Sequence, residues 1–237
     1  MSHAIELVLL LLALVSFLSY WIFWAFRDHV NLTGAVMKTA ATGLLAGLAF
    51  THPVSGFQLI VLGLAFGALG DFALTRRSQT AFLVGMAAFA AGHLAYIVAF
   101  WLRARTIADA MPSDTALSGL TIAALSALAV LLLSTEVWLA PRTGPLRWPV
   151  RGDVVVIGRM GMTTRLLVPH PENAGATYLQ IGAALFILSD LLLALRLFVF
   201  PAGEAAQKLS LALWPTYWFG QFLIMLGAGL YWLPFGL

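Results

Sequence analysis

The feature of this sequence that most limits its fold is a succession of eight long apolar stretches separated by short breaks. A helix that crosses a bilayer needs about 20 mostly apolar residues, and each stretch approaches that length. The sixth stretch is the weakest, because Arg159 lies inside it. We therefore predict an all-α, polytopic transmembrane helix bundle with about eight spans, forming a single transmembrane domain over residues 1–237. The predicted spans are roughly 4–26, 33–50, 53–74, 80–102, 116–139, 151–168, 175–200 and 211–235.

The composition supports a protein embedded in lipid. Of the 237 residues, 61% are hydrophobic and 10% are charged, whereas a soluble domain has about a quarter charged residues. So few charges are enough for short loops but not for a water-facing surface, and lipid-facing side chains need no polar cover. The chain has no cysteine, which excludes disulfides, thiolate metal sites and a cysteine nucleophile.

The basic residues are distributed unevenly between the two sets of loops. The net charge of +3 contains no basic run of the kind that binds nucleic acid, so we expect membrane lipids rather than nucleic acid as partners. Cytoplasmic loops are enriched in Lys and Arg, and the loops after spans 1, 3, 5 and 7 are the basic ones. We therefore predict that both termini lie outside the cytoplasm. The basic residues on the predicted cytoplasmic side are Arg27, Arg76, Arg77, Arg142, Arg147, Arg151, Arg196 and Lys208.

The source and the first stretch are also interpreted from composition. Arginine far outnumbers lysine, and Ala, Gly and Leu are abundant, which indicates a GC-rich bacterial source and hence the inner membrane. The first stretch has no basic segment before it and ends in aromatic residues, which favours a first span over a cleavable signal peptide. Two GxxxG patterns, Gly43 with Gly47 and Gly63 with Gly67, predict close helix packing.

Ionisable and polar residues inside the spans are the candidate functional residues, because inserting a charged group costs at least about 2.5–3.5 kcal/mol. His93 and Tyr96 share one helix face, and Tyr217 and Gln221 share another. Their estimated depths are compatible with one cavity that opens toward the arginine-rich side. The full set is Lys38, Asp71, His93, Tyr96, Arg159, Ser189, Asp190, Arg196, Tyr217 and Gln221.

Structural roles are open to the same residues. His93 alone could hydrogen-bond a neighbouring helix, and Lys38 could extend to the interface. Arg196 is interpreted as the interfacial end of span seven. The possible ion pairs are Asp71 with Arg76, Asp190 with Lys38, and Arg159 with Asp153 or Asp190.

Several familiar chemistries have no support in the sequence. There is no HExxH motif and no second intramembrane histidine near His93, so no metal site is predicted. There is no GxSxG motif for a serine nucleophile and no Walker A sequence. Two buried carboxylates, one histidine and several hydroxyl and amide groups remain, which suit acid–base hydrolysis or a proton relay.

Three segments at these polar positions resemble a known family. They are similar to its GDxxL and GxxxFxxxHxxY patterns, then GAxLFxxSDxxLA, then YxxxQxLI, in that order along the chain. On these motifs the sequence resembles the YhhN family of membrane proteins, whose animal members are lysoplasmalogenases, and Lys38 resembles the family's lysine in span 2. The matching segments are Gly70-Asp71 to Leu74 with Gly85 to Tyr96, Gly182 to Ala194, and Tyr217 to Ile224.

The resemblance implies hydrolysis of the vinyl ether bond of a lysoplasmalogen, a lysophospholipid, with no metal or organic cofactor. Asp190 would be the acid and Asp71 the base and cation stabiliser, with the two roles exchangeable. His93, with Tyr96, would orient water or relay protons, and Lys38 would contact the lipid phosphate. The residues that would bind the glycerol hydroxyl or position the carboxylates are Ser189, Tyr217 and Gln221.

Two other functions use the same residues. Polar residues near mid-membrane would equally serve a proton-coupled transporter of a small or lipid-like solute, although we find no internal repeat or broken helix of the kind that such carriers show. A lipid-binding bundle without chemistry would use the polar set only to hold helices together.

Overall fold

A computed structural model of the chain describes residues 3–27, 30–52, 56–110, 119–168 and 173–232. These residues form α-helices and no β-strand, which confirms the predicted all-α helix bundle. Two 3₁₀ turns, Ala140–Arg142 and Gly144–Leu146, precede α6, and a π-helical turn, Leu195–Val199, continues α7. The helices are α1 His3–Phe23, α2 Leu32–Phe50, α3 Gln58–Leu74, α4 Gln79–Ala110, α5 Gly119–Trp138, α6 Arg147–Thr164, α7 Gly175–Ala194 and α8 Gly203–Tyr231.

The helices differ from the predicted spans chiefly where a helix continues beyond its apolar part. Helix α4 runs on to Ala110, past the predicted end at 102, and α8 begins at Gly203 rather than at 211. Hydropathy marks only the part of a helix that suits lipid, while polar residues such as Lys208 are compatible with a helix that extends into water. The predicted positions 53–55, 116–118 and 233–235 lie outside the described residues.

The chain is an integral membrane protein. Six described helices have the length and hydropathy of a bilayer span, namely α1, α2, α4, α5, α7 with its π turn, and α8. Helix α3 is apolar but has only 17 residues, and α6 does not reach that hydropathy. On α5, Leu120, Val130, Leu133 and Val137 are 75%, 68%, 71% and 79% exposed, an apolar surface that lipid solvates and water does not.

The helices pack mostly against their neighbours in sequence. Helices α1 to α4 form one consecutive series, α6 to α8 form another, and α4 packs against α6. Helix α8 also contacts α1, α2 and α3, which closes the bundle, while α5 packs against α6 at its edge. The ends of α1, α3 and α7 and the start of α8 meet at one end of the bundle. We call this the arginine end, after the residues that lie there, Arg27, Arg76, Arg77 and Arg196.

Glycines bring α7 and α8 into backbone contact. A Cβ added at Gly182 would lie 2.9 Å from the carbonyl oxygen of Gly220. One added at Gly227 would lie 2.7 Å from the carbonyl oxygen of Gly175. Small residues allow this close approach in membrane helices. The seam therefore fixes the helix that bears Asp190 against the helix that bears Tyr217 and Gln221.

The two GxxxG patterns behave differently. A Cβ at Gly63 would lie 2.2 Å from the Tyr96 ring, and one at Gly67 would lie 2.6 Å from Nε2 of Gln221, so close packing there is confirmed. The prediction is wrong for Gly43 and Gly47. A Cβ at the first would make an ordinary contact of 3.7 Å, and one at the second would meet no atom within 4 Å, because Gly47 faces the outside of the bundle.

Two buried tryptophans tie α8 to the first two helices. The indole Nε1 of Trp214 donates to the carbonyl oxygen of Phe17 at 3.1 Å, and that of Trp218 donates to the carbonyl oxygen of Ala41 at 3.0 Å. The Phe17 and Trp218 rings stack at a centroid distance of 4.6 Å. A buried indole N–H needs such a partner, and these two carbonyl groups hold α8 beside α1 and α2.

Candidate active site

Lys38 and Asp71 form an ion pair between α2 and α3. The Lys38 Nζ lies 3.3 Å from Oδ1 of Asp71, and the Asp71 side chain is only 1% exposed. Oδ2 of the same carboxyl group accepts hydrogen bonds from Thr42 Oγ1 at 2.8 Å and from the Tyr217 hydroxyl at 2.9 Å. A buried charge is tolerated when it is paired and hydrogen-bonded, and here both oxygens are engaged.

The hydrogen bonds continue from Asp71 across two further helices. The Gln221 side-chain amide donates to the Tyr217 hydroxyl at 3.4 Å, and its Oε1 accepts from the Tyr96 hydroxyl at 2.5 Å. Gly63 and Gly67 make room for these side chains, as the contacts of an added Cβ show. We call this set the Asp71 network, and its members are Lys38, Thr42, Asp71, Tyr96, Tyr217 and Gln221.

His93 and Asp190 form a second and much less bonded group, the His93–Asp190 pair, between α4 and α7. Nε2 of His93 lies 3.8 Å from Oδ2 of Asp190, which is beyond hydrogen-bond distance. Among the described residues, neither ring nitrogen of His93 has a hydrogen-bond partner, and nor does Oδ2 of Asp190. The Phe186 ring packs edge-on against His93 at 4.6 Å and against Tyr217 at 5.3 Å, so it separates this pair from the Asp71 network.

Asp190 faces an apolar cavity of about 100 Å³. Asp153 of α6 lines the same cavity, its Oδ1 has no hydrogen-bond partner among the described residues, and its carboxyl group interacts electrostatically with that of Asp190. From the sequence, Asp153 was expected only as an ion-pair partner for Arg159. The remaining walls are almost wholly apolar, among them Phe82, Met86 and Phe89 of α4 and Ile187 and Leu191 of α7.

A second cavity of about 550 Å³ opens at the arginine end. It contains Lys38 and Arg196, whereas Asp71, Tyr217 and Gln221 line neither cavity. The sequence suggested that the candidate residues line one cavity, and this is wrong. The larger cavity and the apolar cavity adjoin, because they share the walls Leu74, Phe82, Leu193 and Leu197.

Several of the pairings considered from the sequence are replaced by others. Lys38 pairs with Asp71 and not with Asp190, and Asp71 does not pair with Arg76. Arg159 is exposed and forms no ion pair with Asp153 or Asp190 in the described part of the chain. The Ser189 hydroxyl donates to the carbonyl oxygen of Phe186 at 2.7 Å, within its own helix.

Thr42 and Asp153 lie at the site but were not predicted from the sequence as candidate site residues. A threonine is common in an apolar helix and does not by itself indicate a site. The one signal for Thr42 was its position four residues after Lys38, on the same helix face. Asp153 lies near the predicted start of span six, where a charged residue looks like part of a loop. No group of three or more His, Asp or Glu side chains placed to hold a metal ion occurs among the described residues.

The YhhN family profile matches residues 33–228, a range that includes every member of the Asp71 network and of the His93–Asp190 pair. The chain belongs to the YhhN family. It is 32% identical over 185 residues to lysoplasmalogenase TMEM86A of Bos taurus, covering 77% of this chain and 69% of the relative. It is 30% identical over 205 residues to the lysoplasmalogenase of Mycobacterium bovis, and this match covers 83% of this chain and 72% of the relative. No solved structure matches this YhhN-family chain.

Proposed function

We propose that this YhhN-family chain is an intramembrane hydrolase that cleaves the vinyl ether bond of lysoplasmalogens to a fatty aldehyde and a glycerophospho-alcohol. The relatives named lysoplasmalogenase support an enzyme of this class. The observation that carries the proposal is the contrast between two carboxyl groups inside the bundle. Asp71 is held by a cation and two hydroxyl donors, while Asp190 has an unpartnered oxygen and faces an apolar cavity.

The reaction requires an acid that can reach carbon. Hydrolysis of a vinyl ether begins when a proton is added to the carbon remote from the ether oxygen, which leaves an oxocarbenium ion. Water then adds to the cationic carbon, and the resulting hemiacetal collapses to the aldehyde and the alcohol. Because the alkenyl chain is apolar, the acid must face an apolar space, and Asp190 does.

In this scheme Asp190 donates the proton to carbon, and Asp71 supplies the negative charge that stabilises the oxocarbenium ion. The bound substrate displaces the Phe186 ring, which lies between the two groups, and the attacking water then passes its proton to Asp71 through the Tyr217 hydroxyl, to which the carboxylate is bonded. When the hemiacetal collapses, Asp190 takes back the hydroxyl proton and Asp71 returns its proton to the departing glycerol oxygen. Both carboxyl groups are then in their starting states, and no further reactant is needed.

The other candidate residues position these groups. His93 has two unpartnered ring nitrogens beside Asp190, which suits it to orient the attacking water. Tyr96 and Gln221 hold the Tyr217 hydroxyl in the Asp71 network, and Lys38 holds Asp71 itself. Ser189, bonded within α7, positions the segment that bears Asp190.

The arginine end defines the orientation of the site. We propose that this end faces the cytoplasm across a bacterial inner membrane, with both termini on the opposite side, because the loops after α1, α3, α5 and α7 carry most of the basic residues. A single-chain lipid would then reach the site from the cytoplasmic leaflet.

The test is aldehyde release by the purified protein in detergent from a 1-O-alkenyl lysophospholipid. We expect aldehyde from the wild type, none above background from Asp190→Asn, and no fatty acid from the matching lysophospholipid with an ester-linked chain. A folded wild-type protein that releases no aldehyde would overturn the proposal.

A further inference from the structure

The charged side chains that line the 550 Å³ cavity at the arginine end are all basic. Five basic side chains line it, and no Asp or Glu occurs among its described lining residues. The size is in the range of ordinary ligand sites. We call it the basic basin, and its cations are Arg27, Lys38, Arg76, Arg77 and Arg196.

Two arginines of the basin, Arg76 and Arg196, form no ion pair with a carboxylate in the described part of the chain. Arg196 donates from Nε to the neutral Ser210 hydroxyl at 2.6 Å, and Arg76 lies over the Phe72 ring at 4.5 Å. Lys38, by contrast, is paired with Asp71. Arginine binds phosphate oxygens with two parallel hydrogen bonds, so Arg76 and Arg196, which line a cavity and have neutral partners, suit a phosphate ester.

Membrane-flanking charge explains arginines at a cytoplasmic interface but not their arrangement here. The side chains line a concavity that reaches inward to Lys38, whose ammonium is paired with Asp71 and whose side chain is only 12% exposed. A ligand in the basin would thus contact the polar group that holds the candidate catalytic carboxylate.

The basic basin lies beside the apolar cavity that Asp190 lines. The side chains of Leu74, Phe82, Leu193 and Leu197 line both cavities, so a charged space and an apolar space lie side by side inside the bundle. A single-chain phospholipid has the same two parts, a phosphate and a hydrocarbon chain. Its reactive bond, next to the glycerol, would lie near the junction, where Asp190 faces the apolar side.

We propose that the basic basin is the site for the phosphate of a single-chain phospholipid, with Arg76 and Arg196 as specificity-determining residues. This inference rests on the proposed hydrolase function and assigns the phosphate to the arginines, whereas Lys38 is engaged by Asp71. Hydrolysis should therefore depend on the phosphate and not only on the alkenyl chain.

The experiment compares a 1-O-alkenyl lysophospholipid with the 1-O-alkenyl glycerol that lacks the phosphate. The variant is Arg76→Gln/Arg196→Gln, and the control is Arg142→Gln/Lys208→Gln, which removes the same charge from residues that line neither cavity. We expect KM for the phosphorylated substrate to rise at least tenfold in the variant, with kcat/KM for the phosphate-free substrate unchanged. For the control variant, KM and kcat/KM should stay within about twofold of the wild-type values with both substrates. An equal loss for both substrates, or no loss, would overturn the assignment.

A binding measurement separates failure of this assignment from failure of the hydrolase proposal. The probe is a fluorescent, ester-linked lysophospholipid, which needs no hydrolysis and should bind the wild type at least tenfold more tightly than Arg76→Gln/Arg196→Gln. If the wild type releases no aldehyde but still binds the probe more tightly than the variant, the phosphate site is supported and the hydrolase proposal is wrong. If glycerophosphate alone displaces the probe as well as a lysophospholipid does, the basin is a site for free phosphate esters and the lipid assignment is wrong.

Discussion

The Asp71 network and the His93–Asp190 pair are both built from buried polar side chains, yet their bonding is opposite. Both oxygens of Asp71 are engaged, by Lys38, Thr42 and Tyr217, and its side chain is 1% exposed. The Asp190 side chain is 22% exposed and has an oxygen without a hydrogen-bond donor among the described residues, beside a histidine that is equally unpartnered. The protein satisfies the polar atoms of the first group, whereas the second retains unpartnered buried atoms beside a cavity that Asp190 lines.

The difference separates two uses of polar residues in a membrane. A fully bonded network stabilises the bundle and fixes positions, because removing any member leaves another unsatisfied. An unsatisfied buried carboxyl group costs free energy, and a folded protein retains one chiefly where function requires it. We therefore expect the acid that protonates carbon at Asp190, and at Asp71 a carboxylate that the network holds in place as base and cation stabiliser.

Asp190→Asn gives the largest expected effect on activity. Loss of a general acid typically lowers the rate by about 10²–10⁴-fold, and an amide cannot replace it. Because the protein supplies Asp190 with few bonds, the unfolding temperature should stay near that of the wild type. Initial rates of aldehyde release and thermal unfolding in detergent measure the two quantities. Near-normal hydrolysis by Asp190→Asn would show that Asp190 is not the acid, and the contrast between the His93–Asp190 pair and the Asp71 network would then have no catalytic meaning.

Asp71→Asn should lower both activity and stability, since it leaves the Lys38 ammonium buried without its counter-charge. Breaking one partner of a buried ion pair costs about 3–5 kcal/mol. The double variant Lys38→Met/Asp71→Asn should recover part of that loss, because no unpaired charge remains. A double-mutant cycle on the free energy of unfolding measures the coupling, and purely additive losses would show that the pair does not interact as described.

Gly67→Ala should disturb the Asp71 network without removing any polar group. The new Cβ would lie 2.6 Å from Nε2 of Gln221 and 3.0 Å from the Tyr217 hydroxyl, so these groups must shift. Displacement of a positioning group by about 1 Å can lower a rate by about 10²-fold, and we expect a loss of about 10- to 100-fold. Gly47→Ala is the matched control, because its Cβ would meet no atom within 4 Å. Equal rates in the two variants would contradict the packing.

Trp218→Phe should produce the smallest effect, since it removes one hydrogen bond outside both groups. The loss of the bond to the Ala41 carbonyl should cost about 1 kcal/mol in stability, with hydrolysis within about twofold of wild type. Trp21→Phe removes a similar indole bond, to Leu211, at an exposed position and should cost less. A strong loss of activity in Trp218→Phe would mean that the Asp71 network depends on the position of α8.

Much of the fold could be predicted from the sequence, because the bilayer imposes long apolar helices. The eight helices of the described residues correspond to the eight predicted stretches, and the two differ at ends such as residue 110, where hydropathy no longer follows the helix. The Gly43–Gly47 pattern shows a further limit. A short motif indicates which residues permit close packing, but the rest of the bundle decides whether that helix face meets another helix.

The candidate site was less accessible to sequence reasoning. The ionisable residues Lys38, Asp71, His93 and Asp190 are conspicuous in apolar helices, so selecting them required no structure. Their pairing depends on how each helix is rotated, which spacing along one helix does not determine. The sequence therefore left the partner of Lys38 open and did not reveal that Phe186 separates two groups.

The Lys38–Asp71 pair has a consequence for how the protein enters its membrane. Only residues 51–57 separate α2 from α3, so both helices can leave the insertion machinery together as one hairpin. Each charge alone would add about 2.5–3.5 kcal/mol to the cost of insertion. Joined at the open end of the hairpin, they present the lipid with an electrically neutral unit, so the same contact that later holds Asp71 also assists its delivery into the bilayer.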